Sequence, residues 1–121
     1  MSSGRAFIGS VNVGETCVIT GVIKDYAGTA FQPTTLNFSL YDKRTSAVIN
    51  SRDNVSLTPV SDYVNASGNL THSLTTADNG IVNDRRRVET HVIRYVATWS
   101  SGTQTMIKEG EIDVVNLANP V

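Results

Sequence analysis

Leu36-Asn37-Phe38-Ser39-Leu40-Tyr41-Asp42 changes character at every step. Leu36, Phe38 and Leu40 point one way, and Asn37, Ser39 and Tyr41 point the other. A period of two is the signature of a half-buried strand, because successive side chains of a pleated backbone project to opposite faces. The same alternation recurs to either side. Before it, residues 16–24 read as a strand with Cys17, Ile19, Gly21 and Ile23 on one face, followed by a loop over 25–35 that holds Gly28 and Pro33. After it, residues 43–46 form a turn, 47–51 a short strand, and 54–57 a further strand before Pro59. Ser67-Gly68-Asn69 is a turn signal, and Leu70, His72 and Leu74 then alternate with Thr71, Ser73 and Thr75. Residues 76–84 are rich in side chains that bond their own backbone, which predicts a tight turn or one helical turn. Residues 88–100 form the longest strand, with His91, Ile93, Tyr95, Ala97 and Trp99 facing the core. Ser101-Gly102 supplies a hairpin turn, and 103–116 returns as the last strand, with Gly110 as a bulge.

Composition agrees with this reading. The 121 residues include 15 Val, 8 Ile and 14 Thr against 6 Leu, and β-branched side chains suit a pleated surface better than a helix. Ser, Thr and Asn together number 36, while charged residues are only 17%. The expected fold is an all-β, immunoglobulin-like antiparallel β-sandwich of about seven strands. Residues 1–14 are expected as an N-terminal arm or edge strand, 15–117 as the sandwich, and 118–121 as a tail in which Pro120 ends pairing.

Charge and cysteine narrow the function classes. A formal net charge of −1 gives no global attraction to nucleic acid or to an anionic membrane, so neither is expected as a partner. Cys17 stands alone, which rules out an intrachain disulfide and suggests synthesis in a reducing cytoplasm. The N-terminus lacks the pattern of a signal peptide, and no stretch approaches the ~20 apolar residues that cross a bilayer. The Asn-X-Ser/Thr triplets at Asn37, Asn54, Asn65 and Asn69 are read as unmodified.

The order of segments carries a resemblance. A strand Thr-Cys-Val-Ile-Thr-Gly-Val-Ile-Lys-Asp leads through a Gly-containing loop to Leu-Asn-Phe-Ser-Leu-Tyr-Asp. Ala-Val-Ile-Asn-Ser-Arg-Asp, Leu-Thr-His-Ser-Leu-Thr-Thr-Ala-Asp-Asn, Glu89-Thr-His-Val, Thr98-Trp99 and Gly110-Glu-Ile-Asp-Val-Val-Asn116 follow. Over residues 15–117 this resembles the small immunoglobulin-like virion proteins of tailed bacteriophages. The resemblance implies a non-enzymatic structural role in the virion, foremost as a capsid decoration or cement protein on the head lattice. A neck (head–tail connector) or head-fibre component is the alternative within that class. The implied partners are the major capsid protein or neighbouring virion proteins, with a homo-oligomer as a further expectation. The implied location is the virion, assembled in the bacterial cytoplasm.

No catalytic residue, metal ligand set or cofactor site is expected. His72 and His91 are the only histidines and have no cysteine or carboxylate at metal-binding spacing. Cys17 on a strand lacks the helix N-terminus or histidine that would activate a nucleophile, and reads as a small buried hydrophobe. The loop carboxylates Asp25, Asp53, Asp62, Asp78 and Asp84 read as turn residues, since Asp78-Asn79-Gly80 lacks the rest of a calcium loop. Trp99 and Tyr95 read as core filling. The candidates for partner contact are Arg85, Arg86 and Arg87, whose guanidiniums could grip phosphates or a carboxylate patch on a partner protein, and the loop aromatics Tyr26, Phe31 and Tyr63. Consecutive residues entering a strand alternate faces, so the three arginines need not form one patch. The rival of another class is a carbohydrate-binding module, which requires exposed aromatic rings on one sheet or loop rim.

Overall fold

Alternation places one row of side chains on each strand inside, and two sheets close over those rows. The computed structural model of the chain describes residues 6–83, 85–99 and 104–116. Seven strands run in the order β1 (Ala6–Asn12), β2 (Cys17–Val22), β3 (Thr35–Asp42), β4 (Val55–Ser56), β5 (Asn69–Leu74), β6 (Val88–Trp99) and β7 (Gln104–Val115). One sheet has the order β1-β7-β6-β3-β4, and the other is the pair β2-β5. The central β7-β6-β3 trio faces the β2-β5 pair as the C, F and G strands face B and E in an immunoglobulin-like sandwich. The core is drawn from both layers: Ile19, Leu70 and Leu74 from the pair meet Leu36, Phe38, Leu40, Ile93, Tyr95, Ala97, Ile112 and Val114 from the larger sheet. The expected inward rows of β3 and β5 are the buried ones, as are His91, Ile93, Tyr95 and Ala97 of β6, but Trp99 is only partly buried and Val92, expected on the other face, is buried.

Three local expectations are corrected. The larger sheet is mixed rather than wholly antiparallel, because β1 runs parallel to β7, with Ala6 beside Gly110 and Asn12 beside Val115. A parallel pair needs a long crossover, and here the intervening chain builds the rest of the domain. Residues 47–51 do not form a strand. Ser46, Asn50 and Ser51 adopt positive φ of 63°, 52° and 57°, so the chain curls, and only Val48 bridges to Tyr41. The curl still covers the outer side of β3, since Ile49 N–H donates to Leu40 O at 2.9 Å and Leu40 N–H to Arg52 O at 2.8 Å. Gly110 is not a bulge: it lies opposite Ile93 in a register that runs unbroken from Val88↔Val115 to Trp99↔Gln104. The irregularity falls in β1 instead, between Phe7 and Gly9.

The expected turns form. Residues 77–79 make a single 3-10 turn. At Ser67-Gly68-Asn69, Asn65 Oδ1 accepts the N–H groups of Ser67 and Asn69 at 3.0 and 2.9 Å. Gly68 has φ of 83°, and a Cβ there would lie 2.7 Å from Phe31 N and 2.9 Å from Ile23 O, so this position requires glycine. The N-terminal segment supplies an edge strand from Ala6 onward. The Ser101-Gly102 hairpin, Asp84, residues 1–5 and the 118–121 tail lie outside the described residues.

Candidate functional site

The apolar inward rows of β3 and β6 both run on into charge. Leu36, Phe38 and Leu40 lead to Asp42; Tyr95 and Ile93 lead back to His91 and Glu89. Asp42 and His91 are register partners, and all three charged or polar residues are buried. Buried charge is stable only when paired and hydrogen-bonded; both carboxylates meet these conditions, while His91 Nδ1 and Arg86 Nε are buried without a hydrogen-bond partner among the described residues. Glu89 Oε1 lies 2.7 Å from His91 Nε2 and accepts Val82 N–H at 2.8 Å. Its Oε2 accepts Asn83 N–H at 2.7 Å and Val82 N–H at 3.0 Å. Asp42 Oδ2 accepts the Thr45 hydroxyl at 2.7 Å and Thr45 N–H at 3.1 Å.

Asp42, Glu89 and His91 offer one ligand atom each within 4.8 Å of one another, a spacing that a metal ion could bridge. Arg86 supplies the positive charge at that place. Its Nη1 donates to Asp42 Oδ1 at 3.1 Å and lies 3.7 Å from Glu89 Oε2. Burial pushes the Asp42 carboxyl up, but the hydrogen bonds from Thr45 and Arg86 outweigh it and hold it below the ordinary carboxylate range. The group is thus an internal clamp that ties the loop before β6 to the ends of β3 and β6. Glu89, engaged by two backbone N–H groups, His91 and Arg86, has little acceptor capacity left for a general base.

A second polar group sits at the margin between the sheets. Asp78 is buried, accepts Arg52 Nε at 2.7 Å and Asn50 Nδ2 at 2.9 Å, and accepts Thr75 N–H at 2.9 Å. Burial raises its carboxyl, and these hydrogen bonds lower it further than burial raises it. Beside it His72, itself buried, shares a 2.7 Å hydrogen bond with the Tyr95 hydroxyl. The edge of Phe38 meets the imidazole at a centroid distance of 4.5 Å, and Tyr63 at 5.7 Å. Burial pushes the His72 pKa down to about 4, aided by the Arg52 cation and opposed by Asp78. Burial likewise pushes the Tyr95 phenol up.

The sequence-derived contact candidates separate into two kinds. Arg86 is an internal ion-pair partner, with its side chain only 15% exposed, whereas Arg85 and Arg87 are exposed. The three arginines therefore form no single patch. Phe31 packs on Trp99 at a centroid distance of 4.6 Å, and Tyr63 packs on His72, so both serve the fold. Tyr26 is 97% exposed. Its loop is nonetheless built: Asp25 Oδ1 accepts the N–H groups of Ala27 and Thr29, each at 2.9 Å, and Gly28 N–H donates to Asp25 O. Cys17 is half-buried against Asn79, whose Nδ2 lies 3.6 Å from Sγ. Sequence reasoning missed the Asp42 and Glu89 clamp. Its signal was present as charge at the inward positions of two alternating strands.

A cleft of about 350 Å³ lies between β2 and the middle of β7, lined by Ile8, Val18, Val22, Tyr95, Lys108 and Glu109 among others. Among the described residues, no helix is long and apolar enough to cross a membrane. The chain matches no protein-family model and no curated protein.

Proposed function

We propose that this β-sandwich is a non-enzymatic virion structural protein of a tailed bacteriophage, a decoration or cement protein that binds the head lattice. A neck or head-fibre position is the alternative within the class. The order of strand segments supports the virion reading. The observation that carries the binding role is Tyr26, an almost fully exposed aromatic on a loop fastened by Asp25. An exposed tyrosine does nothing for the fold, and a ring presented on an ordered turn loses little entropy when a partner covers it. The titratable groups that the fold buries are occupied in holding it together, which favours a binding role over catalysis. Repetition on a lattice would turn such small contacts into firm attachment through effective concentration.

A carbohydrate-binding module would use the same ring. That reading is weaker, because Trp99 and Phe31, which could complete a stacking platform, pack on each other. The test is co-sedimentation with assembled capsids encoded beside this protein. Retention that Tyr26→Ala weakens supports the proposal; a protein left in the supernatant contradicts it. Saturable tryptophan-fluorescence change with free sugars would favour the rival.

A further inference from the structure

The two sheets end side by side on the flank opposite β1, where β4 is the last strand of the larger sheet and β5 is one of the pair. A cleft of about 470 Å³ opens there, lined by Arg52, Asp62, Tyr63, His72, Ser73 and Asp78 among others. Its walls carry hydrogen-bond donors that the fold does not use. Arg52 donates Nε to Asp78 at 2.7 Å, and its guanidinium lies over the Phe38 ring, 5.7 Å from the centroid. Among the described residues, neither terminal nitrogen of Arg52 makes a hydrogen bond, and the side chain is 30% exposed. The His72 imidazole meets the same Phe38 ring, at a centroid distance of 4.5 Å. Its Nδ1 is 2.7 Å from the buried Tyr95 hydroxyl. That hydroxyl proton needs an acceptor, and among the described residues Nδ1 is the one within reach. Tyr95 therefore donates to Nδ1, and the neutral ring carries its own proton on Nε2, as a free donor. Ser73 adds main-chain groups. Thr71 N–H donates to Tyr63 O at 2.8 Å, away from β2. Alternation then turns the Ser73 N–H and C=O to the same side, where no described residue pairs with them.

We propose that this cleft binds a single carboxylate group, held by the terminal N–H groups of Arg52 and the Nε2–H of His72. The fork of Arg52 Nη1 and Nη2 matches the two oxygens of a carboxylate, and Nε keeps its bond to Asp78. Asp78 fixes the guanidinium in place, so little side-chain freedom is lost when the ligand arrives. Charge selects the class. Asp78 offsets the Arg52 cation, and Asp62, exposed at the rim, adds a negative charge that solvent screens. A doubly charged phosphate is therefore disfavoured, and a singly charged group held by directed hydrogen bonds is the better match. The carboxylate belongs either to a small free acid or to an acidic side chain of an extended peptide. A peptide would also pair its main chain with Ser73 at the open edge of β5. The site does not depend on which assembly the protein joins.

The test is NMR titration of the full chain at pH 7 with acetate, and with a blocked Ala-Glu-Ala tripeptide. Before ligand is added, long-range nitrogen–proton spectra should show His72 as the Nε2–H tautomer. Acetate should then give saturable shifts at the His72 ring. Acetamide, of the same shape but uncharged, should bind about tenfold more weakly or less. Arg52→Lys keeps a cation opposite Asp78 but loses the fork, and should weaken acetate binding by about fivefold or more. Asp62→Asn changes an exposed side chain and should tighten binding by about twofold. The acetamide and Asp62→Asn arms decide the question even if Arg52→Lys disturbs the fold. A tripeptide that binds tighter than acetate and shifts the Ser73 amide supports the site and assigns the ligand to an acidic peptide. Equal affinities support the site and assign it to a free acid. The absence of saturable shifts with both probes overturns the proposal. So do an Nδ1–H tautomer at His72, acetamide binding as tightly as acetate, and inorganic phosphate binding more tightly than either carboxylate.

Discussion

The Tyr95 hydroxyl of the larger sheet meets His72 Nδ1 of the β2-β5 pair at 2.7 Å, a hydrogen bond that crosses the sandwich. The rings of Phe38 and Tyr63 pack on the same imidazole. Burial of the imidazole couples fold stability to pH. The His72 pKa is about 4 in the folded chain and about 6.5 when unfolded. Above pH 6.5 the imidazole is neutral in both states, and its contribution is complete. Between 6.5 and about 4 the unfolded chain takes up a proton that the folded chain refuses, so stability falls as pH falls. Urea unfolding over this window should show a loss of about 3 kcal/mol that is absent from His72→Leu. At pH 7, His72→Leu should itself cost about 1–3 kcal/mol by leaving the Tyr95 hydroxyl unpaired, and adding Tyr95→Phe should return part of it.

Below that window the carboxylates take over. Asp42 and Asp78 both have folded pKa values lowered from 3.8, so their contribution is complete above the ordinary carboxylate range and is lost as pH falls through the lowered values. A second acid phase is therefore expected below the histidine phase, and Asp78→Asn should shrink it. The measurement is the urea midpoint from pH 4 down to pH 2.

The adjacent arginines make a contrast within one loop. Arg86→Leu removes the cation between Asp42 and Glu89 and should destabilise the chain by about 3–5 kcal/mol. Arg87→Ala changes an exposed side chain and should shift stability by no more than about 0.5 kcal/mol. Thermal unfolding of the two variants checks both values. Equal effects would contradict the separation of internal and surface arginines.

Gly68→Ala should destabilise by more than about 1 kcal/mol, because the new methyl meets backbone atoms at 2.7–2.9 Å and φ is 83°. The backbone of Ile23 and Phe31 cannot move aside without breaking the Phe31 N–H to Ile23 O bond. Gly28→Ala, at φ of 87° but with open space around it, should cost less. The ordering of the two denaturation midpoints is the readout.

How legible this structure is depends on the range of each interaction. The inward rows of Leu36-Phe38-Leu40 and Ile93-Tyr95-Ala97 are visible because alternation is local, and the two rows meet as register partners. Residues 47–51 mislead because Val48 and Ile49 suit a strand, whereas Asn50 and Ser51 tolerate the left-handed conformation that curls them. The parallel pairing of β1 is invisible because Ala6 and Gly110 lie at opposite ends of the sequence, beyond the reach of any local pattern. At the site, Tyr26 was legible as a loop aromatic, but Phe31 and Tyr63 look alike in sequence and differ only in what packs on them. Arg86 could not be told from Arg85 and Arg87 without Asp42, which lies far away along the chain.

The central proposal, a binding protein of the virion head, is tested most directly by the protein content of purified virions. On that proposal a tailed phage encodes this chain, and quantitative mass spectrometry of its purified virions is predicted to find the protein in many copies per particle, at a fixed ratio to the capsid protein, with heat-stability lost when the gene is deleted. Intact particles that lack the protein, with unchanged stability after deletion, would contradict the account.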